Sequence, residues 1–161
     1  MSARQRKPYD ESSGIRVWLI LWKAAKAVEQ NAIRSVASLG LGLSDFAVLE
    51  LLLHKGPQPV NVIGKRVLLT SGSITTAVDR LESRKLVRRT GDPEDRRSRI
   101  VALTPAGRRL IHRSFRRHAA DMERTLAVLS APDRADLVRL LKKAGLAAEE
   151  SLKRQPGQSG L

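Results

Sequence analysis

Apolar residues recur along the chain with the periods that mark helices and strands, and the places where the period breaks divide it into segments. Between residues 14 and 39, Trp18, Leu21, Trp22, Ala25, Val28, Ala32 and Val36 follow helical spacing, which predicts a long first helix. Residues 17–22 are apolar on nearly every side, so that end must be buried on several faces. Gly40 and Gly42 stop the helix. Ser44 is the expected N-cap of a second helix over 45–54, and Asp45 suits the positive end of its dipole. The stretch Gly56-Pro57-Gln58-Pro59 breaks it. A short third helix over 61–68, the polar turn Thr70-Ser71-Gly72-Ser73 and a fourth helix to about Lys85 then make a helix-turn-helix pattern.

After Leu86 the period shortens. Residues 87–91 and 98–103 are strand candidates, joined by Asp92-Pro93-Glu94-Asp95-Arg96-Arg97, whose turn formers suit a hairpin tip. Thr104-Pro105 supplies an N-cap and a proline at the first helical position, which predicts a long helix with the stripe Ile111, Phe115, Ala119, Met122, Leu126 and Leu129. Ser130-Ala131-Pro132-Asp133 starts a last helix that carries Leu137, Leu140, Leu141 and Ala144 to about Leu152. The expected fold is mainly α with a small β-hairpin wing. A polar tail over 1–13 precedes a dimerisation helix over 14–39, and a winged helix-turn-helix domain over 40–104 follows. Dimerisation helices over 105–152 and a tail over 153–161, rich in Gly, Ser and Gln, complete the chain.

Composition narrows what these helices do. Only 3% of residues are aromatic, so Leu, Val, Ile and Ala must fill the core. Thirty Lys and Arg against sixteen Asp and Glu give a net charge of +14. Fifteen of the basic residues and only five acids fall between positions 61 and 118. Clustering of that kind points to a polyanionic partner, where a basic surface kept only for solubility would be dispersed. No cysteine is present, which excludes disulfides, thiolate metal sites and cysteine redox sensing. The apolar run at 17–22 is too short for a signal sequence or a membrane span, so a cytoplasmic protein without membrane attachment is expected. His54, His112 and His118 have no metal-site spacing, and neither a nucleophile elbow nor a Gly-rich phosphate loop occurs. Neither an enzyme nor a cofactor or metal is expected.

The fourth helix carries the main functional expectation. At about 100° per residue, Ile74, Val78 and Leu81 share one face beside Ala77. The opposite face holds Gly72, Thr76, Asp79, Arg80 and Ser83, with Ser73 and Thr75 on its shoulders. Small hydroxyl side chains let a helix approach DNA closely, and an arginine can read guanine in the major groove. Arg96 and Arg97 at the hairpin tip suit the negative potential of the adjacent minor groove, while Asp95 can orient one of them.

The runs Leu43-Ser44-Asp45-Phe46-Ala47-Val48-Leu49, Leu69-Thr70-Ser71-Gly72-Ser73-Ile74-Thr75 and Val78-Asp79-Arg80-Leu81-Glu82 resemble the multiple-antibiotic-resistance regulator (MarR) family. So do the wing Asp92-Pro93-Glu94-Asp95-Arg96-Arg97 and the following Leu103-Thr104-Pro105-Ala106-Gly107. The resemblance implies a DNA-binding transcriptional regulator, with major-groove contacts from Ser71, Gly72, Ser73, Thr76 and Arg80 and wing contacts from Arg96 and Arg97. It also implies a homodimer built by the first, fifth and sixth helices. The apolar 17–22 end and the two later stripes independently need a partner, and a two-fold dimer would select an inverted repeat in double-stranded operator DNA. A small aromatic or lipophilic effector is expected near the junction of the first helix with the winged domain, lined by Trp18, Trp22, Phe46 and His54. The alternative is a basic nucleoid-associated or RNA-binding protein without sequence readout. Against RNA, the basic segment contains a single aromatic residue, Phe115.

Overall fold

The computed structural model of the chain describes residues 12–91 and 99–154. Its order is α1 (Gly14–Ala37), α2 (Leu43–Lys55), β1 (Gln58–Pro59), α3 (Val60–Arg66), α4 (Ser71–Ser83), β2 (Val87–Gly91), β3 (Arg99–Leu103), α5 (Pro105–Thr125) and α6 (Ala131–Arg154). The chain divides into two compact units, Met1–Glu123 and Arg124–Leu161.

In the first unit α1 to α5 surround one aliphatic core. Phe46, Leu49 and Leu52 of α2 meet Ile63 of α3, Ile74, Ala77, Val78 and Leu81 of α4, Val87 and Val101 of the strands, and Ile111 of α5. Each of these side chains is buried, and full burial of a Leu or Ile stabilises by about 1.5–3 kcal/mol. The burial of Ile111 shows that the start of α5 packs on the winged domain. α1 joins the core only near its C-terminal end, through Val36. There Ser35 donates to Asp121 at 2.6 Å, and its Oγ lies 3.0 Å from His118 Nδ1, which ties α1 to α5.

Three local features depart from the sequence expectation. α2 begins at Leu43 with Gly42 as N-cap, and Ser44 lies inside the first turn. The Gly42 carbonyl accepts from the Phe46 N–H at 2.9 Å, and the added residues bring Leu43 against the core. Gln58–Pro59, expected only as a helix breaker, pairs antiparallel with Val101 and Ile100, so the wing strands belong to a three-stranded sheet ordered β1-β3-β2. A proline is tolerated there because β1 is an edge strand. α5 ends at Thr125, and Leu126 and Leu129 of its expected stripe lie in the turn that follows.

Chain reversals use the expected chemistry. Gly56 closes α2 at φ +71°, a left-handed value that glycine adopts without strain, and its N–H bonds to Leu52 O. Thr104 caps α5: its Oγ1 accepts from Gly107 N at 3.0 Å, while Thr104 N donates to Leu86 O at 3.0 Å. Gly107 sits so close to the chain entering β2 that a Cβ there would lie 1.9 Å from Leu86 O.

In the second unit α6 starts with reciprocal capping, in which Ser130 N donates to Asp133 Oδ2 at 3.1 Å and Asp133 N donates to Ser130 Oγ at 3.3 Å. Arg134 secures the preceding turn by donating to Leu126 O and Leu129 O. No α6 residue is buried, and Leu137, Val138, Leu140, Leu141 and Leu146 are all exposed.

Candidate nucleic-acid interface

α4 forms with the expected orientation because its apolar residues fall on one helical face. Ile74, Ala77, Val78 and Leu81 are buried, whereas Ser71, Gly72, Ser73, Thr75, Thr76, Asp79, Arg80 and Ser83 are exposed. Thr70 caps its start, accepting from Ser73 N at 3.3 Å, with the two side-chain oxygens 2.9 Å apart. Thr75 and Thr76 donate their hydroxyl protons to Ser71 O and Gly72 O at 2.9 and 3.0 Å. In this state the two threonines offer acceptor lone pairs and methyl groups, while donor capacity sits at the helix N-terminus. A Cβ on Gly72 would meet nothing within 4 Å, so this turn presents bare backbone to its surroundings.

Arg80 is not a loose side chain. Its Nε lies 2.8 Å from Asp45 Oδ2 and its Nη2 2.6 Å from Asp45 Oδ1, a two-pronged contact between α4 and α2. Arg80 remains 45% exposed, whereas Asp45 is 2% exposed. The hydrogen bond to Asp45, and then its negative charge, raise the guanidinium further above its ordinary pKa. A fork held by one carboxylate has its direction fixed before any partner arrives.

A second pair of contacts joins α4 to the sheet. Arg89 of β2 reaches Asp79 at 2.6 Å and Glu82 at 2.8 Å, and its backbone N–H donates to Glu82 Oε1 at 3.0 Å. Asp79, placed by periodicity on the outer face of α4, is therefore committed to positioning the strands. Neither Asp45 nor Arg89 was singled out as a site residue from sequence. The strands pair from Val87↔Leu103 to Gly91↔Arg99, and the tip that should carry Asp95, Arg96 and Arg97 lies outside the described residues.

The four residues expected to line an effector pocket have the following surroundings in the single chain. Phe46 is core and packs edge-on against His118 with ring centroids 4.7 Å apart. His54 meets Phe115 at 5.0 Å. Trp18 and Trp22 are half-exposed on α1. A hollow of about 640 Å³ lies between α3, α4 and the sheet, with Val60, Lys65, Leu69, Ile74, Thr75 and Arg99 among its walls. Among the described residues no group of three or more His, Cys, Asp or Glu could hold a metal ion. No helix there is long and apolar enough to cross a membrane.

Comparison with known proteins places this arrangement. The sequence profile of the MarR family matches residues 39–98, which run from the end of α1 to the wing. The HTH-type transcriptional regulator MhqR of Bacillus subtilis is 37% identical over 136 residues, covering 84% of this chain and 94% of the relative. A crystal structure of a MarR mutant from E. coli complexed with operator DNA superposes with a TM-score of 0.70 at 25% identity, covering 83% of this chain and 99% of that one. The PcaV transcriptional regulator of Streptomyces coelicolor, in complex with its natural ligand, superposes with a TM-score of 0.68 at 26% identity, covering 89% and 99%.

Proposed function

Since the chain belongs to the MarR family of HTH-type transcriptional regulators, we propose that it binds a specific inverted repeat in double-stranded DNA as a homodimer and represses transcription from it. The observation that carries this reading is the outer face of α4. A capped N-terminus, bare backbone at Gly72, the hydroxyls of Ser71, Ser73, Thr75 and Thr76 and a pre-aimed Arg80 lie opposite a face wholly committed to the core. Small residues let the backbone come close to phosphates, and the Arg80 fork supplies a base-reading element. In the same reading Arg96 and Arg97 enter the flanking minor groove and Asp95 orients them.

The homodimer is supported by apolar surface that the monomer leaves uncovered. Ile15, Val17, Trp18, Leu19, Ile20, Leu21 and Trp22 of α1 are 38–58% exposed, and the α6 leucines form a second such face. Clusters of exposed large apolar side chains mark association surfaces. A small aromatic or lipophilic effector that lowers operator affinity completes the proposal, by analogy with the relative crystallised with its natural ligand. Selection from a pool of random duplex DNA tests the function: the expected winner is an inverted repeat with half-sites about one helical turn apart. Recovery of no preferred sequence would refute it in favour of a charge-only binder.

A further inference from the structure

Charge that the α4 site does not use runs along α5. Arg108, Arg109, His112, Arg113, Arg116 and Arg117 are all exposed, and the positions between them, Leu110, Ile111, Ser114 and Phe115, turn toward the domain. Pairs at 108/109, 112/113 and 116/117 recur every helical turn, which makes a single stripe about 13 Å long. Among the described residues none of the five arginine side chains has a salt bridge or side-chain hydrogen bond, and the first turn of α5 has no acid.

Such a stripe works against the helix that carries it. Arg109, Arg113 and Arg117 are spaced i,i+4, where like charges repel, and the stripe begins at the positive end of the helix dipole. A helix face serving only solubility interleaves acids with bases, as Lys26 and Glu29 do on α1. Contact of this face with itself across a two-fold axis would set the same guanidinium groups against one another, and the apolar side of these turns is already spent on the core through Ile111. At its near end the stripe meets the wing, where Arg88 of β2 and Arg108 line a common shallow hollow with Leu103, Thr104 and Pro105.

On the DNA-binding reading above, we propose that the α5 arginine stripe is a second phosphate-binding track that takes the backbone of DNA flanking the operator. A run of about 13 Å is long enough to meet two to three successive phosphates of one strand. It adds affinity without sequence information and draws the flank against the side of the domain, so that the bound duplex is bent toward the protein.

The test compares the selected operator trimmed to its inverted repeat with the same operator extended by about 15 base pairs of random sequence on each side. The intact protein is titrated against both at several salt concentrations, and hydroxyl-radical footprints are taken. Wild-type protein should bind the extended duplex more tightly and protect flank phosphates beyond the repeat. If three arginines each engage a phosphate, the slope of log K against log salt steepens by about two to three units, and the advantage shrinks about 40-fold between 50 and 200 mM salt. The triple variant Arg109→Gln, Arg113→Gln, Arg116→Gln should bind the trimmed operator as wild type does and lose both the increment and the flank protection. Glutamine is nearly as good a helix former as arginine, and matching melting curves verify the fold. Equal binding of both duplexes by the wild type, or an increment that survives in the variant, overturns the track, including the case where the stripe serves an acidic protein. Failure to distinguish operator from scrambled DNA overturns the regulator reading and the track together.

Discussion

Replacing Arg80 with alanine should damage the fold as well as DNA binding, and the structure gives the proportion. Asp45 is 2% exposed and takes two short charge-assisted hydrogen bonds from Arg80, so Arg80→Ala strands a carboxylate away from water. Leaving a buried charge unpaired costs about 3 kcal/mol. The reverse substitution is milder: Asp45→Asn leaves a guanidinium that is 45% exposed and can turn to solvent, and the amide oxygen still accepts one bond. About 1 kcal/mol is expected there. Urea unfolding of Arg80→Ala, Asp45→Ala and the double variant measures the coupling. The double variant should be more stable than Arg80→Ala, because the stranded charge goes with its partner. A loss below about 0.5 kcal/mol for Arg80→Ala, with additive single changes, would refute the account. Operator affinity must then be read at equal folded fraction. Asp45→Asn is the cleaner probe of function, since it keeps Arg80 but frees its direction, and it should reduce discrimination between operator and scrambled DNA more than it reduces non-specific affinity.

Gly107→Ala would place a methyl 1.9 Å from Leu86 O, a backbone atom that also accepts from Thr104, so a loss of about 3 kcal/mol in thermal or urea unfolding is expected, and a neutral change would show that α5 can shift. Gly72→Ala meets open space and improves a helix, so stability should hold or rise by up to about 1 kcal/mol while operator affinity falls by about 1–2 kcal/mol as a backbone–phosphate bond is blocked; unchanged affinity removes this turn from the interface. The Ser130 hydroxyl, and then its backbone N–H, hold the Asp133 carboxyl below its ordinary pKa. This cap therefore contributes stability above the pKa of unfolded aspartate and loses it as pH falls through the lower folded value; an NMR titration should show the midpoint of Asp133 rising on Ser130→Ala, and an unmoved midpoint contradicts the assignment. Melting temperature should rise with protein concentration if the α1 and α6 apolar faces pair between copies, and a folded monomer at low micromolar concentration would exclude the dimer.

The parts of the fold legible in the sequence are those with a local cause. The α4 faces follow from the spacing of Ile74, Ala77, Val78 and Leu81, and the start of α5 follows from Thr104-Pro105, because period and capping act within a few residues. β1 was invisible because two residues carry no period, and its pairing with β3 spans the whole helix-turn-helix. The N-cap of α2 was misplaced at Ser44 because a good capping side chain outweighed the packing of Leu43, which only the assembled core reveals. Distance hid the clamp as well: Asp45 and Arg80 are 35 positions apart, and nothing in either segment announces the other. The packing of two residues expected near the effector was hidden in the same way. Phe46 and His54 face α5 and are covered by His118 and Phe115, so aromatic character marked packing there.

Two of the charged residues that periodicity places on the outer face of α4, Asp79 and Arg80, are both engaged in fixing the helix, one to Arg89 of the sheet and the other to Asp45 of α2. Ordering a long side chain on binding costs about 0.5–1.5 kcal/mol, and a guanidinium already held by a buried carboxylate has lost much of that freedom in the free protein. Its contact with a base is then selective by geometry, since a misplaced acceptor cannot be met without breaking the Asp45 fork. Arg108, Arg109, Arg113, Arg116 and Arg117 of α5 have no such restraint among the described residues and suit phosphates, whose charge is the same at every base pair. On the proposed reading, specificity and attraction rest on different arginines, and a variant can lose either one while keeping the other. Asp45→Asn should flatten the affinity ratio between operator and scrambled DNA at nearly constant salt slope, while neutralising the α5 stripe should lower the slope on long DNA at nearly constant ratio.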